Sequence, residues 1–299
     1  MTTLNTTSGG STTGREEFSG EVYEWIIHTL TAFICLCGLV GNGKVIWILR
    51  LCTQRRYFVI YILNLAIADF GTLVALLIRE TSLPFHKPQT LTLSILYSLF
   101  FFTHSASLYL LTAISMERCL SVLSPIWYQR HRTGYASTSV SFLLWAFAGL
   151  LSGGLLLFCT VVSFETYKMA VSVICGVNVL IFTPLMVAST LTLFTKIYCY
   201  SQGHPLPRVY SAILVTLLCF IIFAIPLSAV HIILIYSKHY SRAALEISVL
   251  SASFNSSINP LIYYYIGRDG NNWCKESLKA VLQRVFKEDT DSRTTGSLV

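Results

Sequence analysis

Seven apolar stretches, each long enough to cross a bilayer, occupy most of this 299-residue chain. They read Trp25–Leu49, Phe58–Ile78, Leu91–Leu120, Ser137–Val162, Val171–Tyr200, Val209–Tyr236 and Ala244–Ile266. About 20 apolar residues in a helix span the hydrocarbon core, where every backbone polar group must find its partner inside the protein. A helix meets that demand within itself. A barrel needs strands that alternate apolar and polar residues, and these stretches do not alternate. The chain therefore reads as an all-α membrane protein, a seven-transmembrane helix bundle. With 54% hydrophobic and 12% charged residues, one membrane domain fills it.

Residues 1–24 form a polar tail with Glu16, Glu17, Glu21 and Glu24. It lacks the basic start and short apolar core of a signal peptide, so the first span is expected to act as its own insertion signal. Basic residues set the orientation, because short cytoplasmic loops carry an excess of Lys and Arg. With the N-terminus outside, the inner side collects Arg50, Arg55, Arg56, Arg118, Arg130, Arg132, Lys196 and Arg208, plus six more in the tail from Arg268 to Arg293. The outer side keeps Arg15, Arg79, Lys87, Lys168, Lys238 and Arg242. The net charge of +7 is thus a topology signal and a weak pull toward anionic inner-leaflet lipid, with no implication of nucleic acid. Asn5-Thr6-Thr7 is a glycosylation acceptor on the outer side. The same pattern at Asn255-Ser256-Ser257 lies within a span, out of reach of the modifying enzyme.

Four segments follow: an extracellular tail over 1–24, the seven-helix domain over 25–266, a short amphipathic eighth helix on the inner membrane face within 267–287, and a disordered cytoplasmic tail over 288–299. In the eighth helix Trp273, Leu278, Val281, Leu282, Val285 and Phe286 share one side, with Lys275, Lys279 and Arg284 available for headgroups. Cys274 beside it is either an acylation site or an ordinary thiol.

Polar side chains at membrane depth are costly, and each is a functional candidate. Asn42 lies in span one, Asp69 in span two, Ser107 and Glu117-Arg118 in span three, Trp145 in span four, and Asn255 and Asn259 four residues apart in span seven. Pro184, Pro226 and Pro260 each remove a helix hydrogen bond within spans five, six and seven, marking kinked segments able to swing. At Pro260 the adjacent Asn259 and Tyr263 are the expected partners of the freed backbone. Lys44, in the inner half of span one, is expected to snorkel to the headgroups.

In this order and spacing, Asn42, Asp69, Glu117-Arg118-Cys119, Trp145, Pro226 and Asn259-Pro260-Leu261-Ile262-Tyr263 resemble a rhodopsin-like G-protein-coupled receptor over nearly the whole chain. The run from Ile114 to Tyr128, Asn255-Ser256-Ser257-Ile258-Asn259-Pro260 and the short loop Ser201–Pro207 resemble the Mas-related branch. The resemblance implies a plasma-membrane receptor, no enzyme, that binds an extracellular ligand and activates a heterotrimeric G protein, of the Gq or Gi class by analogy. Arrestin would be a further partner, through phosphorylation of tail residues such as Thr290 and Ser297. Glu117, Arg118 and Tyr263 would serve G-protein coupling. Asp69, Ser107, Asn255 and Asn259 match the family's sodium and water cluster, whose null alternative is a structural polar network. No other cofactor is expected. A bridge between Cys159 and Cys175 would replace the usual disulfide, since span three begins Leu91-Thr92-Leu93-Ser94 without cysteine. Two buried thiols are the alternative.

The chain departs from the family in four places. Phe223-Ala224-Ile225-Pro226 lacks the usual sixth-span Trp, so either the pocket is deeper there or Phe223 and its neighbours take over the packing. Phe100 stands where amine receptors carry their Asp. Leu155 and Val179 stand where branch members that bind cationic ligands carry acids. Leu206 to Tyr210 offer no acid to restrain Arg118, so a weakened inactive-state latch and basal signalling are expected. The polar residues left at the outer level are Arg79, Glu80, His104, His231 and Glu246. They read either as a snorkelling arginine, a paired glutamate and backbone-bonded histidines, or as a mixed-charge pocket over an aromatic floor. The second would take a peptide end or a small zwitterionic, amino acid-like solute.

A small seven-helix transporter, channel or intramembrane enzyme is the competing class. Transporters carry repeats between halves and paired broken helices, whereas these prolines cluster in spans five to seven. An intramembrane hydrolase needs a catalytic pair, and Asp69 is the lone mid-membrane acid.

Overall fold

The structure, a computed structural model, describes residues 10–51, 57–82, 90–131, 135–161, 164–200, 208–223, 225–237 and 241–267. Its elements are α1 (Gly10–Leu51), α2 (Tyr57–Ser82), α3 (Thr90–Leu123), α4 (Pro125–His131), α5 (Ala136–Val161), α6 (Phe164–Val177), a π-helical turn over Asn178–Phe182, α7 (Thr183–Tyr200), α8 (Arg208–Phe223), α9 (Ile225–Tyr236) and α10 (Arg242–Gly267). No strand occurs among the described residues. The fifth span is α6 continued through the π turn into α7, and the sixth is α8 followed by α9. Helix α1 begins at Gly10, well before the expected Trp25. Asn5, Cys274, the eighth helix and the terminal tail lie outside the described residues.

Among the described residues, six spans are long and apolar enough to cross a membrane on composition alone; α10 falls short. Its polar residues explain the shortfall, since Ser248, Ser253, Asn255, Ser256 and Asn259 are all buried and kept from lipid. Lipid instead meets Phe33, Trp47, Phe142, Leu150 and Leu180, an apolar surface that a water-soluble protein could not expose. Lys44 is exposed on α1, as a snorkelling side chain requires.

Helix α3 runs through the middle, against α2, α5, α7 and α8, with Tyr109, Leu110, Leu111 and Ile114 fully buried. Lipid tails are as apolar as leucine, so helices associate through close packing and interhelical hydrogen bonds. Small residues supply the closeness. A Cβ added at Gly38 on α1 would meet Ser257 Oγ of α10 at 2.1 Å and Leu73 of α2 at 2.7 Å. On α2, a Cβ at Gly71 would meet Thr103 of α3 at 2.7 Å.

Each expected kink has a local physical form. Pro184 sits in the first turn of α7, just past the π turn, where the Thr183 N–H and Oγ1 both donate to the Asn178 carbonyl. Pro226 lies in the first turn of α9, and Ser251 Oγ of α10 donates 2.8 Å to the Phe223 carbonyl at the end of α8. At Pro260 the freed carbonyl is that of Ser256, four residues back, and Asn42 Nδ2 of α1 donates to it at 2.9 Å. The expected partners were Asn259 and Tyr263; Asn259 is instead engaged with Asp69.

Candidate functional site

The outer ends of α1, α2 and α10 meet at a buried charged tetrad. From α2, Arg79 Nη2 donates to Glu246 Oε1 of α10 at 2.7 Å and Nη1 to Glu246 Oε2 at 3.0 Å. Arg79 Nη1 also donates to Glu80 Oε1, while His28 Nδ1 of α1 hydrogen-bonds Glu80 Oε2. Arg79 is 8% exposed, Glu80 and Glu246 3% and His28 9%, so these groups meet little water and find their polar partners in one another. One turn further out, half-exposed Glu24 of α1 faces Arg242 of α10 at 3.3 Å, a screened pair worth little by itself.

This corrects the snorkelling reading of Arg79, which is buried and paired. Of the six expected pocket residues, Arg79, Glu80 and Glu246 come together in the tetrad. Arg79, Phe100 and His231 also border a narrow cleft, lined further by Tyr97, Leu245 and Val249 among others. His104 does not line the cleft. It is buried beneath, stacked on Phe100 at 5.4 Å and 11°, with Phe220 6.3 Å away. His231 Nδ1 donates to the Leu227 carbonyl at 2.9 Å, which places its proton there and leaves Nε2 as an acceptor. The sixth-span packing left open by the missing Trp is taken by Phe220, 1% exposed, one turn before Phe223. Phe223 instead pairs with Phe254 toward lipid at 4.7 Å.

His28 was missed by sequence reasoning, although a signal exists. Glu24 and His28 on span one, and Arg242 and Glu246 on span seven, are each four residues apart, so each pair shares a helix face.

At mid-membrane Asp69 is fully buried. Ser107 Oγ donates to its Oδ1 at 2.9 Å and Asn259 Nδ2 to its Oδ2 at 2.7 Å, tying α2, α3 and α10. Asn255 is buried nearby in α10, its Nδ2 without a partner among the described residues. A carboxylate and a hydroxyl are hard donors of the kind a sodium ion takes, whereas both amides present N–H groups to the cluster, and the orphaned Asn255 amide suits a water there. Trp145 Nε1 of α5 donates to Asn64 Oδ1 of α2 at 3.0 Å, so its role is to hold two helices together.

At the inner end of α3 Arg118 is fully buried, while Glu117 accepts a hydrogen bond from Tyr128 Oη of α4 at 2.6 Å. Tyr263 of α10 is buried and borders a small apolar cavity with Thr216 of α8 and Ile114 of α3. Leu155 is buried and Val179 half-buried, so neither place holds an acid.

Cys175 is a free thiol, buried with Phe101, Ile174 and Leu227 in the outer apolar core. The bridge that the resemblance implies would pair it with Cys159. The Cys159 side chain lies outside the described residues.

This geometry belongs to a seven-helix membrane receptor, with an outer cleft, a buried mid-membrane carboxylate and an arginine at the inner end of the central helix. A profile described as 7 transmembrane receptor (rhodopsin family) matches residues 41–263. Proto-oncogene Mas of Homo sapiens is 35% identical over 94% of this chain and 90% of its own. Mas-related G-protein coupled receptor member H of Rattus norvegicus is 36% identical over 96% and 90%, and member D of Homo sapiens 35% over 89% and 86%. The chain belongs to the rhodopsin family of seven-transmembrane receptors and, within it, to the group formed by Mas and the Mas-related receptors. It is a multi-pass membrane G-protein-coupled receptor and not an enzyme; its partners are an extracellular ligand and a heterotrimeric G protein.

Proposed function

We propose that the receptor sits in the plasma membrane with its N-terminus outside, binds a peptide end or small amino acid-like zwitterion at the outer cleft, and signals through a Gq or Gi class protein. The observation that carries the ligand class is the Arg79–Glu246 pair, which joins α2 to α10, with Arg79 lining the cleft and Glu246 bound directly to it. A ligand that took only one partner would leave the other charge buried without its main counter-charge, which is costly. A zwitterion exchanges one for one, its carboxylate on Arg79 and its ammonium on Glu246. Ligand binding of that kind releases α10 from α2 and favours the conformation in which the proline-bearing spans six and seven have opened the inner face. Arg118 then meets the G protein, and arrestin follows through the phosphorylated tail. A sodium ion held by Asp69 and Ser107 would supply a fixed positive charge to the buried carboxylate; Asn259 and Asn255 orient that cluster.

Calcium and cyclic-AMP output from cells expressing the intact chain tests this reading, with small amino acids and short peptides as probes. The same compounds acetylated at the amine or amidated at the carboxylate are the controls. Free compounds are expected to act, capped ones to lose at least about tenfold in potency, which is about 1.4 kcal/mol. Arg118→Ala is expected to be silent at equal surface level. Capped compounds as potent as free ones would sink the zwitterion reading, and a full response from Arg118→Ala would sink the coupling role.

A further inference from the structure

We propose that His28, Glu80 and Glu246 form a binding site for a zinc-class divalent cation that clamps the outer ends of α1, α2 and α10. One ligand atom from each, His28 Nδ1 and a carboxylate oxygen from Glu80 and from Glu246, lies within 4.8 Å of the others, and all three residues are buried. The closing distance, His28 Nδ1 to Glu246 Oε2, is 3.9 Å. Ligands about 2.0–2.2 Å from a tetrahedral zinc stand a little over 3 Å apart, so small side-chain rotations bring the three onto one centre. An imidazole nitrogen with two carboxylate oxygens is a borderline donor set that suits zinc. Magnesium and calcium call for six or more oxygens, which this set does not offer.

The surroundings have the form of a metal site's outer shell. Arg79 donates to Glu80 Oε1 and so holds that carboxylate with Oε2 turned to His28. It also grips both oxygens of Glu246, fixing the second carboxylate. Half-exposed Glu24, one turn outward on α1, provides an acidic approach from the extracellular side. Charge balances as follows. Two carboxylates and one guanidinium sum to minus one. The cation enters with loss of any proton carried by His28, leaving plus one, which an anionic fourth ligand such as chloride or hydroxide neutralises. The open fourth position is what three protein ligands leave on zinc. Because α10 also carries the cluster around Asp69, a cation here fixes the outer end of the same helix whose middle contacts α2 and α3.

The test uses full-length receptor in detergent, stripped with chelator and titrated with Zn2+ at neutral pH, with Mg2+ as control. Retained zinc after gel filtration and the thermal unfolding midpoint are the readouts, so no agonist is needed. Wild type is expected to retain one zinc per chain and to unfold at higher temperature with zinc but not with magnesium. His28→Gln and Glu80→Gln are expected to weaken zinc at least about tenfold, the order seen when a metal site loses part of its support. His28→Cys adds a gain of function independent of any folding defect in the other two, because a thiolate in the same place is expected to bind Cd2+ more tightly than wild type does. Equal zinc retention by wild type and His28→Gln overturns the proposal. So does a wild-type midpoint that follows pH alone and ignores zinc, which would make the cluster a proton site.

Discussion

Asn42 Nδ2 lies 2.9 Å from the carbonyl of Ser256, the group whose helical donor Pro260 removes. Spans one and seven thus share a single hydrogen-bond ledger: the proline makes the deficit and the asparagine, more than two hundred positions earlier, fills it. An unsatisfied buried carbonyl costs about 1–3 kcal/mol. Asn42→Ala is expected to lower the thermal stability of the solubilised receptor by that amount. In a Pro260→Ala background the alanine N–H refills the helix bond, and the same change is expected to cost much less. Costs that simply add in the double variant would show that Asn42 serves some other group.

Gly38 and Ser257 make the same helix pair touch. The 2.1 Å approach leaves no room for a methyl group at Gly38, and Ser257 Oγ also donates to the Ile34 carbonyl at 3.1 Å. Gly38→Ala is expected to destabilise by about 1–3 kcal/mol, the usual range for overpacking. Ser257→Gly should restore much of it, since Leu73, the other neighbour, meets the methyl with the end of a flexible side chain. A double variant no more stable than Gly38→Ala would place the clash elsewhere.

Asp69 supplies a prediction free of any agonist. Its two oxygens are each bonded, one to the Ser107 hydroxyl and one to the Asn259 amide N–H. Sodium chloride, compared with N-methylglucamine chloride at equal ionic strength, is expected to raise the unfolding midpoint of the wild-type receptor. Asp69→Asn keeps the shape and removes the charge, so it should abolish that difference. An equal response of wild type and variant to the two salts would remove sodium from the account.

The spans were legible because their apolar length is dictated by bilayer thickness, and the mid-membrane polar residues because each is too costly to be there without a partner. The partners were harder to read. Asn42 serves a carbonyl on span seven, and Tyr128 on α4 holds Glu117, links that depend on which helix faces meet in three dimensions. At the outer end, residue types were readable but not their mutual pairing, so Arg79 was left between the headgroups and a mixed-charge pocket and is found between two carboxylates. His28 was overlooked because the four-residue spacings Glu24–His28 and Arg242–Glu246 show that each pair shares a helix face but not which faces meet. Cys175 is the opposite case: a family resemblance implied a bridge, while the helix register places the thiol in the core.

Glu117 and Arg118 are adjacent in sequence, yet Glu117 receives the Tyr128 hydroxyl at 2.6 Å. With no acid among Leu206 to Tyr210, restraint of Arg118 in the inactive state rests on Glu117 and other near neighbours. Tyr128 draws on the same carboxylate. Basal inositol phosphate or a basal fall in cyclic AMP is therefore expected above mock-transfected cells at matched surface expression, and Arg118→Ala should abolish it. Tyr128→Phe frees a Glu117 oxygen for the arginine, strengthening the restraint by about 1 kcal/mol, the value of one hydrogen bond. Basal output should then fall by roughly fivefold, because about 1.4 kcal/mol would be tenfold. Output from the intact chain no higher than mock would show that the inactive state is held by contacts other than this latch. A rise in Tyr128→Phe would show that the tyrosine itself supports that state.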